Sequence, residues 1–304
     1  MDKLKNIVKT LLPHMPADAV SVGVIDFTKK TFQAFEATHD ASGVSFSKGG
    51  IYFDLASLTK PLTNSLSYFL KTKEFDEKML LCLSHRGGLP AWGLFAKDSW
   101  RELIQSYPIK ESPTLYSDPS ALRVLLEFNS KGQDMKTLCQ TVWDKETVYW
   151  LDLPDGVPLL QYGYREGEPN FGVVHDPNAY VLRTFCSHAG LFSTIGGICR
   201  TLIQYEEKTQ FIAKVKADLK SHSHRFALGW DRVENPENTL AGTGCSTSTF
   251  GHLGFTGNSI WIDAEKMLGH VILSNTTKHH WFDKEVLNDL RRGLGARVWA
   301  KDLS

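Results

Sequence analysis

The sequence predicts an α+β protein: one antiparallel sheet assembled from both ends of the chain, flanked by terminal helices, with an α-rich lobe between them. Two observations carry this expectation. Strand-like runs open the chain and return over residues 225–304, and the stretch between them shows helical spacing interrupted by Pro, Gly and Asn. At 304 residues, 42% hydrophobic and 22% charged, the chain can bury the core of one large domain or two intimate ones.

Residues 20–27 and 31–35 are β-branched or aromatic runs separated by a polar turn at Lys29 and Lys30, the pattern of a hairpin. A helix is expected from Ser57 to Lys71, because Leu58, Leu62, Leu66 and Phe69 recur at helical spacing and Pro61 falls in the first turn, where a missing amide costs least. A second helix is expected over 119–128, then a loop-rich stretch over 151–178. Residues 226–232, 258–263 and 270–274 read as strands, and 283–300 as a closing helix. The expected organisation is a sheet lobe from residues 1–56 and 225–304, a mainly helical lobe from 57–224, and an active site in the cleft between them.

Thirty-four Lys plus Arg balance thirty-four Asp plus Glu. Zero formal charge gives no field that would gather nucleic acid or an anionic membrane, so neither is an expected partner. Cys82, Cys139, Cys186, Cys199 and Cys245 are odd in number and lack Cys-x-x-Cys spacing, which argues against a disulfide or zinc framework. The N-terminal charges interrupt any secretory core, and no apolar run approaches the roughly 18 residues that span a bilayer. With Met1 as the native start, a cytoplasmic location is expected. Oligomeric state is left open.

The chemistry points to an activated serine. Ser57 and Lys60 form a Ser-x-x-Lys at a helix start, where i and i+3 bring hydroxyl and amine to one face. A serine hydroxyl attacks only when a neighbour takes its proton, and a desolvated lysine can do so. Ser45 with Lys48 repeats the pattern but runs into Gly49-Gly50, poor helical context. Tyr116-Ser117-Asp118 precedes the second helix, with Asp118 suited to cap it and Pro119 to its first position. Capping leaves Tyr116 unexplained, and its phenol could relay a proton. His252-Leu253-Gly254 leads into the alternating run 258–263, read as an edge strand able to lie against a bound acyl group.

In that order these motifs resemble the serine β-lactamase and penicillin-binding protein superfamily, in particular its class C-like branch, which also holds esterases and D-amino-acid peptidases. The segments 53–61, 83–90, 173–180, 188–194 and 251–257 look like segments of that branch. The resemblance implies a β-lactamase/transpeptidase-like fold and acyl transfer without metal or cofactor. Ser57 would attack a carbonyl of a small ester, amide or β-lactam-like substrate, and Lys60 and Tyr116 would handle its proton. The backbone amides of Ser57 and Phe255 would form the oxyanion hole, with Asp118, His252 and Gly254 lining the substrate site.

Two departures bear on the substrate. The family's Lys-Thr-Gly is here His252-Leu253-Gly254, which removes a cation and a hydroxyl that grip a substrate carboxylate. Asp118 replaces the commoner Asn and favours the charged, less basic form of Lys60. The expectation is therefore an esterase or amidase first, β-lactamase or D,D-carboxypeptidase activity second, and a binding protein with impaired turnover third. Gly-x-Ser-x-Gly, a Walker loop and His-Glu-x-x-His are absent. His222, His224 and the pair His279-His280 read as solvated histidines rather than metal ligands. Trp143, Tyr149, Trp150, Tyr162 and Tyr164 could line a cleft or pack a core.

Overall fold

The computed structural model describes residues 1–279 and 283–303. The N-terminal strands are β1 (Ala19–Asp26), β2 (Thr31–Asp40), β3 (Gly43–Ser47) and β4 (Phe53–Asp54). The middle of the chain supplies β5 (Thr147–Tyr149), β6 (Gln161–Arg165), β7 (Glu168–Phe171) and β8 (Leu191–Ser193). The C-terminal part supplies β9 (Phe226–Ala227), β10 (Trp230–Arg232), β11 (Thr249–Leu253), β12 (Ser259–Asp263) and β13 (Leu268–Ser274).

Both ends of the chain meet in one eight-stranded sheet of order β3-β2-β1-β13-β12-β11-β10-β9. The junction is the antiparallel β1–β13 pair, from Val20 opposite Ser274 to Asp26 opposite Leu268. Strand β1 is buried on both faces. Val20, Val22 and Val24 face a core made with the terminal helices Asp2–Leu11 and Glu285–Trp299, through Leu4, Val8, Leu287, Leu290 and Leu294. Ala19 and Ile25 face the second core, where helix Ile195–Thr209 packs through Ile195, Ile198, Cys199 and Leu202. Each such aliphatic side chain contributes about 1.5–3 kcal/mol when fully buried. Gly23 permits the approach of that helix, because a β-carbon there would lie 2.5 Å from Cys199 Sγ.

The α+β class is as the sequence predicts, but several elements differ. Residues 226–232 are not one strand: Leu228 (φ 48°) and Gly229 (φ 88°) make a two-residue turn between β9 and β10, the left-handed pair that closes a tight hairpin. The loop-rich stretch 151–178 contains the β6–β7 hairpin. N-terminal strand β4 joins two strands from the middle of the chain in a three-stranded sheet of order β4-β8-β5. The run 258–263 is no edge strand, since β12 lies between β11 and β13. Among the described residues, no helix is long and apolar enough to cross a membrane.

Candidate active site

The small sheet sets the first residues of the site side by side. Strand β4 runs into the turn carrying Ser57, β8 follows His188, and Leu55 N donates to Leu191 O (2.8 Å) while Thr59 Oγ1 accepts from Leu191 N (3.1 Å). Ala56, just before Ser57, holds φ 47°. A non-glycine residue in that left-handed region costs about 1–2 kcal/mol, which local bonding must offset. Its N–H donates to Asp54 Oδ1 at 2.8 Å. From there the chain winds through a 3₁₀ turn (Ala56–Leu58), a π-helical turn (Pro61–Ser65) and helix Leu66–Leu70. The expected helix after Ser57 is thus present as a continuous helical path through residue 70, but it is α-helical only at residues 59–60 and over Leu66–Leu70.

Lys60 Nζ donates to Ser57 Oγ and to His188 O, each at 3.0 Å, and stands 2.7 Å from Asp118 Oδ1. It also lies 4.9 Å from the centre of the Tyr116 ring. Burial alone would push this ammonium down, but the Asp118 carboxylate outweighs it and holds Lys60 above the ordinary lysine range. Burial likewise lifts the Tyr116 phenol above its ordinary value, against the pull of Lys60, so the phenol is neutral at pH 7.

Asp118 does not cap its helix. Ser117 takes that place, its Oγ accepting from Ser120 N at 2.9 Å, and Asp118 is the first residue of helix Asp118–Ser130. Ser117 can cap because its backbone is extended, and this releases the Asp118 carboxylate to face Lys60.

Behind this group, Asp176 Oδ1 bonds His188 Nε2 at 2.8 Å. Burial would raise the Asp176 carboxyl, but His188 and the Ala179 amide hold it down at about 2. Asp118, Asp176 and His188 offer atoms within 4.8 Å of one another. Lys60 already supplies a cation to this cluster, so a divalent ion there would meet an ammonium group. His222 instead bonds Asp218 at 2.9 Å and stacks on His224, and among the described residues neither joins a three-ligand cluster. His280 lies outside the described residues.

Strand β11 brings His252 to the other side. The β10–β11 ladder ends at Asp231 opposite Gly251, so His252 and Leu253 have no strand partner on that side despite lying in an interior strand. The His252 ring is buried 5.9 Å from the Tyr116 ring, and its Nδ1 pairs with Leu253 O. Burial and the nearby Lys60 charge depress it to about 3, so it is a neutral ring and no cation. Gly254 N donates to Asn258 O at 2.9 Å, closing the turn with Phe255 at its tip. The Phe255 side chain is 46% exposed.

Two cavities meet at Ser57, Tyr116 and Phe255. One, of about 360 Å³, is bordered by Trp92, His175, Asp176 and Ala189. The other, of about 470 Å³, is bordered by Arg225, Leu253, Lys284, Leu287 and Arg291. Trp143, Tyr149, Trp150 and Tyr162 pack the core instead, and Tyr164 lies half exposed away from these walls. Ser45 and Lys48 sit at strand β3 and its exposed end and border neither cavity.

Arg291 was not singled out by the sequence. It is 4% exposed, donates to Asn258 O (2.9 Å) and Asn288 Oδ1 (3.1 Å), and leaves Nε without a partner among the described residues. Burial lowers its guanidinium to about 10. The available signal was an arginine in register with Leu287 and Leu294 on the apolar face of the closing helix.

The beta-lactamase family profile matches residues 82–291, about two thirds of the chain. This chain belongs to the beta-lactamase family. The matched segment includes Tyr116, Asp118, His252, Phe255 and Arg291 and begins after Ser57 and Lys60. A protein of Escherichia coli O157:H7, provisionally named D-alanyl-D-alanine carboxypeptidase, is 34% identical over 245 residues, covering 64% of this chain and 55% of that protein. The chain thus spans about half the length of the curated relatives it matches. Among solved structures, a beta-lactamase from Mycobacterium bovis aligns over 97% of this chain and 99% of its own, at 17% identity and TM-score 0.62. A beta-lactamase/D-alanine carboxypeptidase from Pseudomonas syringae aligns over 100% and 99%, at 14% identity and TM-score 0.62. The β-lactamase/transpeptidase-like fold is therefore the family's own.

Proposed function

We propose that this chain is a serine hydrolase that forms an acyl-enzyme at Ser57 from small esters or amides, in the cleft between a sheet lobe (1–56 with 225–304) and a mainly helical lobe (57–224). The observation that carries the reading is the line Ser57 Oγ, Lys60 Nζ, Asp118 Oδ1, with steps of 3.0 and 2.7 Å, opening onto two cavities. As Ser57 Oγ bonds the carbonyl carbon, its proton passes to Lys60 while Lys60 yields one to Asp118. Lys60 therefore stays cationic and the carboxylate is the final acceptor. Tyr116, neutral and beside both groups, gives its phenol proton to the leaving group and is reprotonated from Asp118 through Lys60, which restores the carboxylate. The amides of Ser57 and Phe255 receive the developing oxyanion. Water then attacks the ester carbonyl, its proton passing through Lys60 to Asp118 and from there back to Ser57 Oγ as the acid leaves.

A second reading, peptidase or β-lactamase activity on carboxylate-bearing substrates, is favoured by Arg291. This buried guanidinium borders the larger cavity, where His252 and Leu253 stand in place of the family's Lys and Thr. The names of the relatives point the same way.

One experiment separates the readings. The protein and Ser57→Ala are incubated with p-nitrophenyl butyrate, nitrocefin, a D-alanyl-D-alanine peptide and a fluorophosphonate, with turnover and intact mass as readouts. Turnover of the butyrate ester with labelling at Ser57 supports the first reading, and nitrocefin or peptide turnover the second. Activity undiminished in Ser57→Ala, or no labelling at Ser57, rejects both.

A further inference from the structure

We propose that Asp54 is the positioning residue of this site, fixing the nucleophile turn, the His175 loop and the Phe255 turn relative to one another. The inference rests on the reading of Ser57 as nucleophile. Asp54 ends strand β4 and is fully buried. Its N–H donates to the Tyr162 phenol oxygen at 3.1 Å. Its carbonyl accepts from Thr256 Oγ1 and Asn258 Nδ2, each at 2.7 Å. Its carboxylate is divided between two segments: Oδ1 accepts from Ala56 N at 2.8 Å and Oδ2 from His175 N at 2.6 Å.

Each bond has a consequence at the cleft. The Ala56 bond holds the left-handed residue on which the direction of the Ser57 amide depends. Thr256 and Asn258 flank the Phe255 turn, and Asn258 Oδ1 in turn accepts from Ser274 N at 2.8 Å, tying the turn to strand β13. His175 borders the smaller cavity and packs 5.5 Å from the Phe255 ring. The two amides assigned to the oxyanion hole thus lie one residue from groups that hydrogen-bond to a single residue. Only a carboxylate offers two equivalent acceptors to two amides; an asparagine must turn its NH₂ toward one of them. No cation pairs with Asp54 within 4 Å among the described residues. Burial pushes the carboxyl up to about 7 in spite of the two amide donors, Asp176 adding to the rise and Arg165 opposing it. Retaining an acid in so unfavourable a place fits a demand for two acceptors at one point.

The test compares wild type, Asp54→Asn and Thr256→Val, the last removing one donor to the Asp54 carbonyl without touching its carboxylate. For p-nitrophenyl butyrate, kcat is expected to fall about a hundredfold in Asp54→Asn with KM within about threefold, since a displaced donor acts on the transition state. Fluorophosphonate labelling of Ser57 should slow in proportion yet still reach one adduct per chain. Thr256→Val should show a smaller kcat loss of the same kind. Wild-type kcat and labelling rate in Asp54→Asn overturn the proposal. If that variant does not fold, an unchanged kcat in Thr256→Val overturns it, and a selective kcat loss there supports it. Absence of labelling at Ser57 in wild type overturns the Ser57 reading itself, an outcome distinct from equal labelling of wild type and variant.

Discussion

The ammonium of Lys60 stands 2.7 Å from the carboxylate of Asp118, and both side chains are withdrawn from solvent. Neither charge would be stable there alone, because an isolated buried ion loses its hydration without compensation. The pair makes the resting lysine a donor to Ser57 and supplies an acceptor one step further on.

Replacing that acceptor tests the relay. In Asp118→Asn the charge that raises Lys60 is gone, burial lowers the amine, and a neutral lysine could serve as base in its place. If Asp118 is the final acceptor, kcat/KM for an ester falls by about 10²–10⁴, the usual contribution of a positioned base. If Lys60 alone is the base, the variant keeps its activity and gains on the acid side. Initial rates between pH 5 and 9 distinguish the two.

Arg291→Met should separate substrates by charge. Losing a charge-assisted bond to a carboxylate costs about 1.5–3 kcal/mol, so KM for a carboxylate-bearing amide rises about tenfold to a hundredfold. An uncharged ester should be nearly unaffected. Thermal unfolding should change little, because removing a buried guanidinium that has no carboxylate partner among the described residues offsets the loss of its bonds to Asn258 O and Asn288 Oδ1. Equal KM changes for both substrates would show that Arg291 supports the cavity wall rather than recognising an anion.

These residues also show where sequence reasoning reaches and where it stops. The reach between Ser57 and Lys60 follows from a local rule, three residues along a helical turn. The order of strand-like and helical runs, with the quoted family segments, was enough for the fold class and the family. Ser117 rather than Asp118 as helix cap was not legible, because both suit the position and the choice depends on Lys60 arriving from 58 residues away. The β9–β10 turn was hidden because Leu228 carries an apolar side chain in a left-handed conformation that composition does not reveal. Asp54 and Arg291 gain their partners from distant segments, which no spacing in the chain records.

Restoring the family's cation at position 252 should fail. The His252 ring is buried within reach of Tyr116 and Phe226, and the nearby Lys60 charge already disfavours its protonation. His252→Lys would place a second buried ammonium beside the first. The expected result is a loss of about 2 kcal/mol or more in stability by denaturant unfolding, together with lower ester turnover and no gain with nitrocefin. A variant that folds normally and hydrolyses nitrocefin would show that the pocket can accommodate the cation.

Stability against acid should be limited by buried neutral histidines. Burial lowers His252 to about 3 and His270 to about 4, and holds His85 well below its ordinary value of 6.5. Folded values depressed below the unfolded one mean that the unfolded chain binds protons the folded chain refuses. The contribution of each histidine is therefore complete above about pH 6.5 and declines as the pH falls toward its folded value, by up to about 1.4 kcal/mol per pH unit. Asp54, raised from 3.8 to about 7, acts in the opposite direction: its contribution is complete below about pH 4 and is lost as the pH rises through 7. Three histidines outweigh one carboxyl between pH 4 and 6.5, so the melting temperature should fall on acidification across that range. His270 borders neither cavity, and its Nε2 donates to Ala241 O at 3.1 Å, since the carbonyl can only accept. His270→Gln keeps a donor for that carbonyl and removes one titrating group, so its melting temperature should depend less steeply on pH below 6.5 while ester turnover stays unchanged. Parallel pH dependences for wild type and variant would show that His270 is protonated in the folded chain.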